Sequence, residues 1–410
     1  MAAMLKLGNR GTTATLLSWL AVLAVLITAF LAIRNHGSVI DEYHHFLQIN
    51  TFLHGQATLD PELTTLPGYH LLVCGIAVLV RASSYPDMRL VNFLLSLFTI
   101  LVFYASAKRF SDNPQVRMLQ FSFLPLLFPF FFLIYTDVTA LLFVLLALYL
   151  WERGYRSWGY CFSLLSILVR QQNVVWLLFL LAWDFTETYG YRFVAPALVK
   201  RYLLKNWLGV LILLGFGGFA LLHGGISMGH QKFHPSFNLS TGNIFFFLFL
   251  SFFLFAPLGL ADLGERWRLL VRHRVVVLFF MVGLALLYTF SFQADNPLNQ
   301  FDFHLRNKML HYLTANSFNR FVGFVPIALA ALYFATTSFK RPAFYLLYPF
   351  SVALLAPSWL IEQRYYLVPA ALFMLFRPAA SRSVEYAVAA LYLGLSLYCF
   401  DGILHGRFFL

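Results

Sequence analysis

Residues 14–33 read ATLLSWLAVLAVLITAFLAI, an apolar run that follows Lys6 and Arg10 and stops at Arg34. A helix needs about 20 such residues to cross a hydrocarbon core ~30 Å thick. No A-x-A-like cleavage signal is evident, so the run reads as an uncleaved first span with its basic leading end in the cytoplasm. The rest of the chain repeats the pattern. Further apolar runs cover roughly residues 67–80, 90–107, 118–135, 137–151, 158–169, 172–183, 203–222, 243–263, 275–293, 319–338, 343–360, 365–376 and 384–404. Several are too short to span, and such helices sit at membrane depth only where protein or a watery cavity shelters their ends. Counting sides back from the basic loops at 263–274 and 185–206 places Lys108-Arg109 inside, whereas counting forward from the N-terminus places it outside. One non-spanning run between residues 67 and 135 reconciles the counts. The expectation is an all-α polytopic membrane protein, a single transmembrane domain over residues 1–410 with roughly 12–14 membrane helices.

Composition agrees. Of 410 residues, 60% are hydrophobic and 11% charged, far from the ~25% charged residues of soluble domains. The formal charge of +12 sits in short clusters between apolar runs, such as Lys200-Arg201, Lys340-Arg341 and 377–382. That is the enrichment expected of cytoplasmic loops, and no basic patch interleaved with aromatics points to a nucleic-acid partner. Cys74, Cys161 and Cys399 show neither metal spacing nor a disulfide framework.

Polar groups capable of chemistry collect at the breaks between runs. Asp41-Glu42-Tyr43-His44-His45 opens residues 34–66, the first loop on the lumenal or periplasmic side. Two adjacent carboxylates beside two histidines can supply a general base and an anchor for a polar substrate; the alternative is a solvated charged loop. Thr64-Thr65-Leu66-Pro67-Gly68 turns the chain back into the membrane. Tyr135-Thr136-Asp137 puts an acid near membrane depth, as a functional group or a helix cap. Arg170-Gln171-Gln172-Asn173 pairs a guanidinium that matches phosphate with amides that read sugar hydroxyls, unless it is an interfacial turn with a snorkelling Arg. Glu362-Gln363-Arg364-Tyr365 repeats that pattern near the other end. The loops carrying His230, Lys232 and His234, and Asp295, Asn296, His304, Arg306 and Lys308, are polar but weak alone; Pro235 and flanking Gly residues argue against a helical His230/His234 metal pair.

Taken in order, these motifs resemble the dolichyl-phosphate-glucose α-1,2-glucosyltransferase family, which adds the last glucose to the lipid-linked N-glycan precursor. The family's Asp-Glu-x-x-His matches Asp41 to His45, Thr-Thr-x-Pro-Gly matches Thr64 to Gly68, and Tyr-Thr-Asp-Val matches Tyr135 to Val138. Arg-Gln-x-Asn-x-Val-Trp matches Arg170 to Trp176, Ala-Asp-Asn matches Ala294 to Asn296, and Glu-x-Arg-Tyr matches Glu362 to Tyr365. The chain departs where Pro297 follows Asn296: the family continues Arg-His-Tyr, and here the nearest His and Arg are His304 and Arg306.

The resemblance implies a type C glycosyltransferase fold and a polyprenyl-phosphate-glucose donor. It implies a glycan or lipid-linked glycan acceptor, an inverting in-line displacement and no metal or other cofactor. In this reading Asp41 is the general base, with Glu42 as the second candidate. Arg170 and Arg364 contact the donor phosphate, while His44, His45, Asp137, Gln171, Asn173, Asp295 and Asn296 orient sugar or acceptor. The host is a bacterial inner membrane or the endoplasmic reticulum; Asn238-Leu239-Ser240 is a sequon in a proposed lumenal loop. The competing class is a transporter or flippase of lipid-linked sugars, which calls for paired repeats and polar midplane breaks in both halves. No repeat is visible.

Overall fold

The computed structural model describes residues 2–191, 195–229, 233–235 and 237–410, with side chains from Thr15 onward. The apolar runs fold as helices, and no strand occurs among the described residues. Six of these helices are long and apolar enough to cross a membrane: Thr15–Ile33, Tyr85–Phe110, Gly242–Ala261, Arg274–Ser291, Ser317–Ala335 and Arg382–Leu404. The pair Pro196–Lys205 and Trp207–His223, bent by 88°, makes a seventh if counted as one span. The other apolar runs form shorter helices; Thr136–Glu152 and Leu367–Phe376 lie in the interior, while Gly68–Val80 and Arg156–Val169 bury one side. Every residue of Leu367–Phe376 is buried, as a helix apolar on all sides must be. Phenylalanine fills the space between helices through stacked pairs such as Phe103–Phe121 (ring centroids 3.9 Å apart) and Phe344–Phe376 (4.1 Å).

Run 118–135 departs furthest from a helix. Helix Pro114–Ser122 ends before Pro125, which has no N–H to continue it, and residues 123–135 are irregular apart from the short turn Phe128–Phe131. All of 123–135 is buried, which is how non-helical backbone survives at such depth. The segment delivers Tyr135 and Asp137 to the start of helix Thr136–Glu152, which folds back as a hairpin onto Arg156–Val169. That second helix ends at Arg170. Gly68 starts the Gly68–Val80 helix there, where a Cβ would lie 2.5 Å from the Leu168 carbonyl oxygen. The Pro67-Gly68 turn is therefore a close approach that brings residues 64–66 against the 170–173 break.

Far along the same helices, Glu385 accepts from Arg377 (2.7 and 2.8 Å), Arg117 (3.1 Å) and Gln120 (2.7 Å), all four residues being buried. Arg377, read from sequence as a loop cation, is instead part of a buried polar staple joining the 114–122, 367–376 and 382–404 helices.

Candidate active site

The breaks at 39–42, 135–137, 170–173 and 362–366 meet in one ion cluster. Arg364 is its hub. Its Nε and Nη2 sit 2.5 Å from Glu362 Oε1, its Nη2 is 3.0 Å from Asp41 Oδ2, and its Nη1 is 3.8 Å from Asp137 Oδ2. The Tyr135 ring lies 5.1 Å beneath the guanidinium. Arg170 binds Asp137 Oδ1 and lies 5.7 Å from the Tyr365 ring. Arg306 reaches Glu362 Oε1 at 3.9 Å. Three guanidiniums thus face three carboxylates. Burial opposes ionisation of Glu362, yet Arg364, Arg306 and Arg170 hold its carboxyl down at about 2.

Of the three acids, only Asp41 reaches solvent. Its side chain is 44% exposed, against 3% for Glu362 and 0% for Asp137. The backbone around Asp41 is tied down closely. Tyr135 Oη accepts from the Asp41 N–H (3.2 Å) and donates to the Val39 carbonyl (2.9 Å). Between them Ile40 holds φ +52°, a left-handed conformation that a β-branched residue adopts at a cost of ~1–2 kcal/mol. Strain of this kind persists only where the surroundings over-determine it. Ile40→Gly is expected to keep or raise thermal stability, by up to ~1 kcal/mol, because glycine accepts this φ freely. Its turnover should nevertheless fall several-fold as Asp41 loosens. A variant with a lowered melting temperature and normal turnover would show that Ile40 packs rather than aims.

The structure separates the two adjacent acids completely. Glu42 begins helix Glu42–Leu53 and points inward with no exposed surface. Arg89 donates to both its oxygens, from Nε at 2.8 Å and Nη2 at 2.7 Å, and the Ile134 and Val39 N–H groups add 2.9 and 3.1 Å bonds. The remaining Arg89 donors hold the carbonyls of Ile33, His36 and Gly37. Glu42, the second candidate base, lies inside the protein as a clamp on residues 33–39.

Several expected sugar contacts are likewise tied to backbone. Gln171 Nε2 donates to Thr64 and Ile226 carbonyls (2.7 and 2.8 Å), Asn173 is buried against Ser166, and Asn296 caps the turn Pro297–Gln300 while donating to the Phe233 carbonyl. Pro297 fits because the first position of such a turn needs no N–H. Asp295 is exposed and accepts from Trp359 Nε1 (2.8 Å). His44 pairs with Asp60 (3.0 Å) at the surface, whereas His45 is buried against His70 (Nδ1···Nε2 2.9 Å). His230 and Lys232 lie outside the described residues.

Burial first, then the Arg364 and Arg170 guanidiniums, holds His45 down to about 3, and burial beside Arg306 holds His304 down to about 4. Both are neutral in the folded protein, while an unfolded histidine takes a proton below ~6.5. Their contribution to stability is full above that pH and drains away as acid approaches their folded values. Melting temperature should fall from pH 7 to pH 5, and His45→Gln should show a shallower fall. Parallel slopes would sink the assignment.

Beside the cluster lies a cavity of about 420 Å³. Arg170 and Tyr365 form its inner wall, with Thr64, Gln172, Ser358 and Trp359 around it. Hydroxyls, an amide and flat aromatic faces suit a carbohydrate.

Comparison with known proteins agrees with this picture. The family model described as DIE2/ALG10 family matches residues 35–196 and 192–375. The chain is 25% identical to a mouse protein named Dol-P-Glc:Glc(2)Man(9)GlcNAc(2)-PP-Dol alpha-1,2-glucosyltransferase, over 82% of this chain and 83% of that one. Proteins of the same name from Drosophila melanogaster (25%, covering 87% and 89%) and Candida albicans (24%, covering 82% and 84%) are similar to the same extent. No solved structure matches the chain.

Proposed function

Because the chain belongs to the DIE2/ALG10 family, we propose that it transfers glucose from a polyprenyl-phosphate-glucose donor to a lipid-linked glycan, forming an α-1,2 linkage. The observation that carries the proposal is Asp41, the one solvent-reaching carboxylate in a cluster of fixed guanidiniums. In the reaction the acceptor hydroxyl attacks the sugar C1 as Asp41 takes its proton. The C1–O bond to phosphate breaks with its electron pair going to the leaving polyprenyl phosphate, and the anomeric centre inverts. Arg364 and Arg170 offset the charge that collects on that phosphate, a task for which fixed guanidiniums suffice without a metal. Trp359 and Tyr365 offer faces to the glycan in the 420 Å³ cavity.

The site faces away from the cytoplasm, in the endoplasmic reticulum or a bacterial inner membrane, because residues 34–66 follow a first span with a basic leading end. Protein in lipid nanodiscs, given polyprenyl-phosphate-glucose or UDP-glucose with a lipid-linked oligosaccharide extract, should release polyprenyl phosphate with the lipid donor alone. Mass spectrometry should show one added hexose on the acceptor. Turnover with UDP-glucose only would overturn the proposal.

A further inference from the structure

Helix Arg382–Leu404 ends in a reversal of the chain. Gly406 holds φ +62°, the left-handed stop that glycine takes without steric cost. Its N–H donates to the Ile403 carbonyl (3.1 Å), and the Arg407 N–H reaches back to the Gly402 carbonyl (2.8 Å). The next three residues turn inward, and Phe408, Phe409 and Leu410 are all buried. Phe408 packs on Gly402, where an added Cβ would overlap its ring. Phe409 then pairs with the segment that leads into helix Leu305–Thr314. Its N–H donates to the Phe303 carbonyl (3.1 Å), and its carbonyl accepts from the Leu305 N–H (2.6 Å), an isolated parallel bridge. That bridge satisfies the main-chain groups of a buried, non-helical segment.

The residues so placed touch the ion cluster at two points. The Phe409 ring stacks on Tyr135, with centroids 6.1 Å apart and planes 22° apart, and meets Phe130 edge-on at 6.0 Å. Tyr135 is the residue that ties down Asp41. Its hydroxyl spans the left-handed Ile40, from the Asp41 N–H to the Val39 carbonyl, and its ring lies 5.1 Å from the Arg364 guanidinium. The Leu410 carbonyl accepts from Arg306 Nη1, and Arg306 faces Glu362. One short segment therefore braces both the tyrosine behind Asp41 and the arginine behind Glu362.

We propose that Phe408–Leu410 is a positioning strap for the reaction. Phe409 seats the Tyr135 ring, Tyr135 Oη sets the Asp41 backbone, and the Leu410 carbonyl aims Arg306 at Glu362. Phe408, wedged on Gly402, holds the strap against the helix it came from. Phe409 and Leu410 are positioning residues, acting through Tyr135 and Arg306. The inference rests on the reading of Asp41 as the general base. A base works only within hydrogen-bond reach of the proton it takes, and a misplacement of about 1 Å costs up to ~10²-fold in rate. That sensitivity gives a segment behind Tyr135 a hold on turnover.

Amide hydrogen exchange of the protein in nanodiscs, read by mass spectrometry, follows the strap without any substrate. Phe409→Leu keeps an apolar side chain and removes the flat face. Gly402→Ala displaces Phe408 from the other end of the strap, and alanine is favoured within a helix, so this variant folds even if the first does not. Both should speed exchange in the peptide covering residues 39–42 by ~5–10-fold, the loss of about one aromatic stack, and leave the peptide covering 114–122 as in wild type. Turnover should fall ~10-fold with the donor KM within about twofold, a split that a smaller folded fraction does not produce. In a Tyr135→Phe background, which lacks the bridging hydroxyl, Phe409→Leu should add little to either effect. Phe103→Leu opens the Phe103–Phe121 stack ~20 Å along helix Tyr85–Phe110 from Arg89 and should leave both readings at wild-type values. Exchange at 39–42 within about twofold of wild type in the folded variants would overturn the strap. So would equal acceleration at 114–122, which marks general loosening. Faster exchange at 39–42 with unchanged kcat would support the strap's hold on Asp41 and count against Asp41 as the base.

Discussion

Asp41→Asn is expected to lower turnover by ~10²–10⁴-fold, the usual contribution of a general base, while donor binding and thermal stability stay near wild type. The carboxylate is 44% exposed and its asparagine replacement still accepts from Arg364 Nη2, so the fold loses little. The neighbouring substitution should behave in the opposite way. Glu42→Gln removes the charge that two Arg89 nitrogens hold in full burial. Breaking a buried pair from one side costs ~3–5 kcal/mol, so the variant should appear as lost protein or a lowered melting temperature. Measuring kcat per folded molecule for both variants separates these roles. An active Asp41→Asn beside a well-folded but dead Glu42→Gln would exchange them.

Why the sequence left this pair open is instructive. Adjacent acids differ in direction, and direction is set by where helix Glu42–Leu53 begins and by a partner 47 residues away. A usable signal was present: Arg89 stands inside the apolar run 90–107's own helix, Tyr85–Phe110, and a guanidinium at such depth needs a buried counter-ion. The apolar runs themselves were legible, because their length and hydropathy fix them as helices whatever they pack against. The exception, 118–135, carried its own notice in Pro125 and Pro129. The motifs at 41, 137, 170 and 364 were legible as site candidates because polar breaks in an apolar chain need shelter. Legibility failed for the amides. Gln171 and Asn296 have the right chemistry for a sugar, but backbone groups at Thr64, Ile226 and Phe233 claim them. Arg306 was visible only as one polar residue among several, since what places it at Glu362 is the fold.

Arg364→Ala should have the second large effect, and on two observables at once. The guanidinium stands among Asp41, Asp137 and Glu362, and without it three carboxylates share a largely buried space. In the proposed reaction it also receives the phosphate charge, so turnover should fall by ~10²–10³-fold, as when a fixed charge-stabilising donor is removed. The effect on stability has a definite sign. In the wild type the Glu362 carboxyl, held at about 2, adds stability that is complete above the ordinary carboxylate value of ~4.3 and is lost as pH falls toward 2. Removing Arg364 takes away the largest of the cationic influences on Glu362, so its carboxyl rises. The destabilisation of Arg364→Ala relative to wild type should then be larger at pH 7 than at pH 4, where protonation relieves the repulsion. Arg364→Lys divides the two effects. It keeps the charge and should recover most of the melting temperature at pH 7, but an ammonium cannot bridge Glu362 and Asp41 as a planar fork does, and turnover should stay low. If Arg364→Ala shows the same stability deficit at both pH values and turns over within twofold of wild type, the hub role assigned to this residue is wrong.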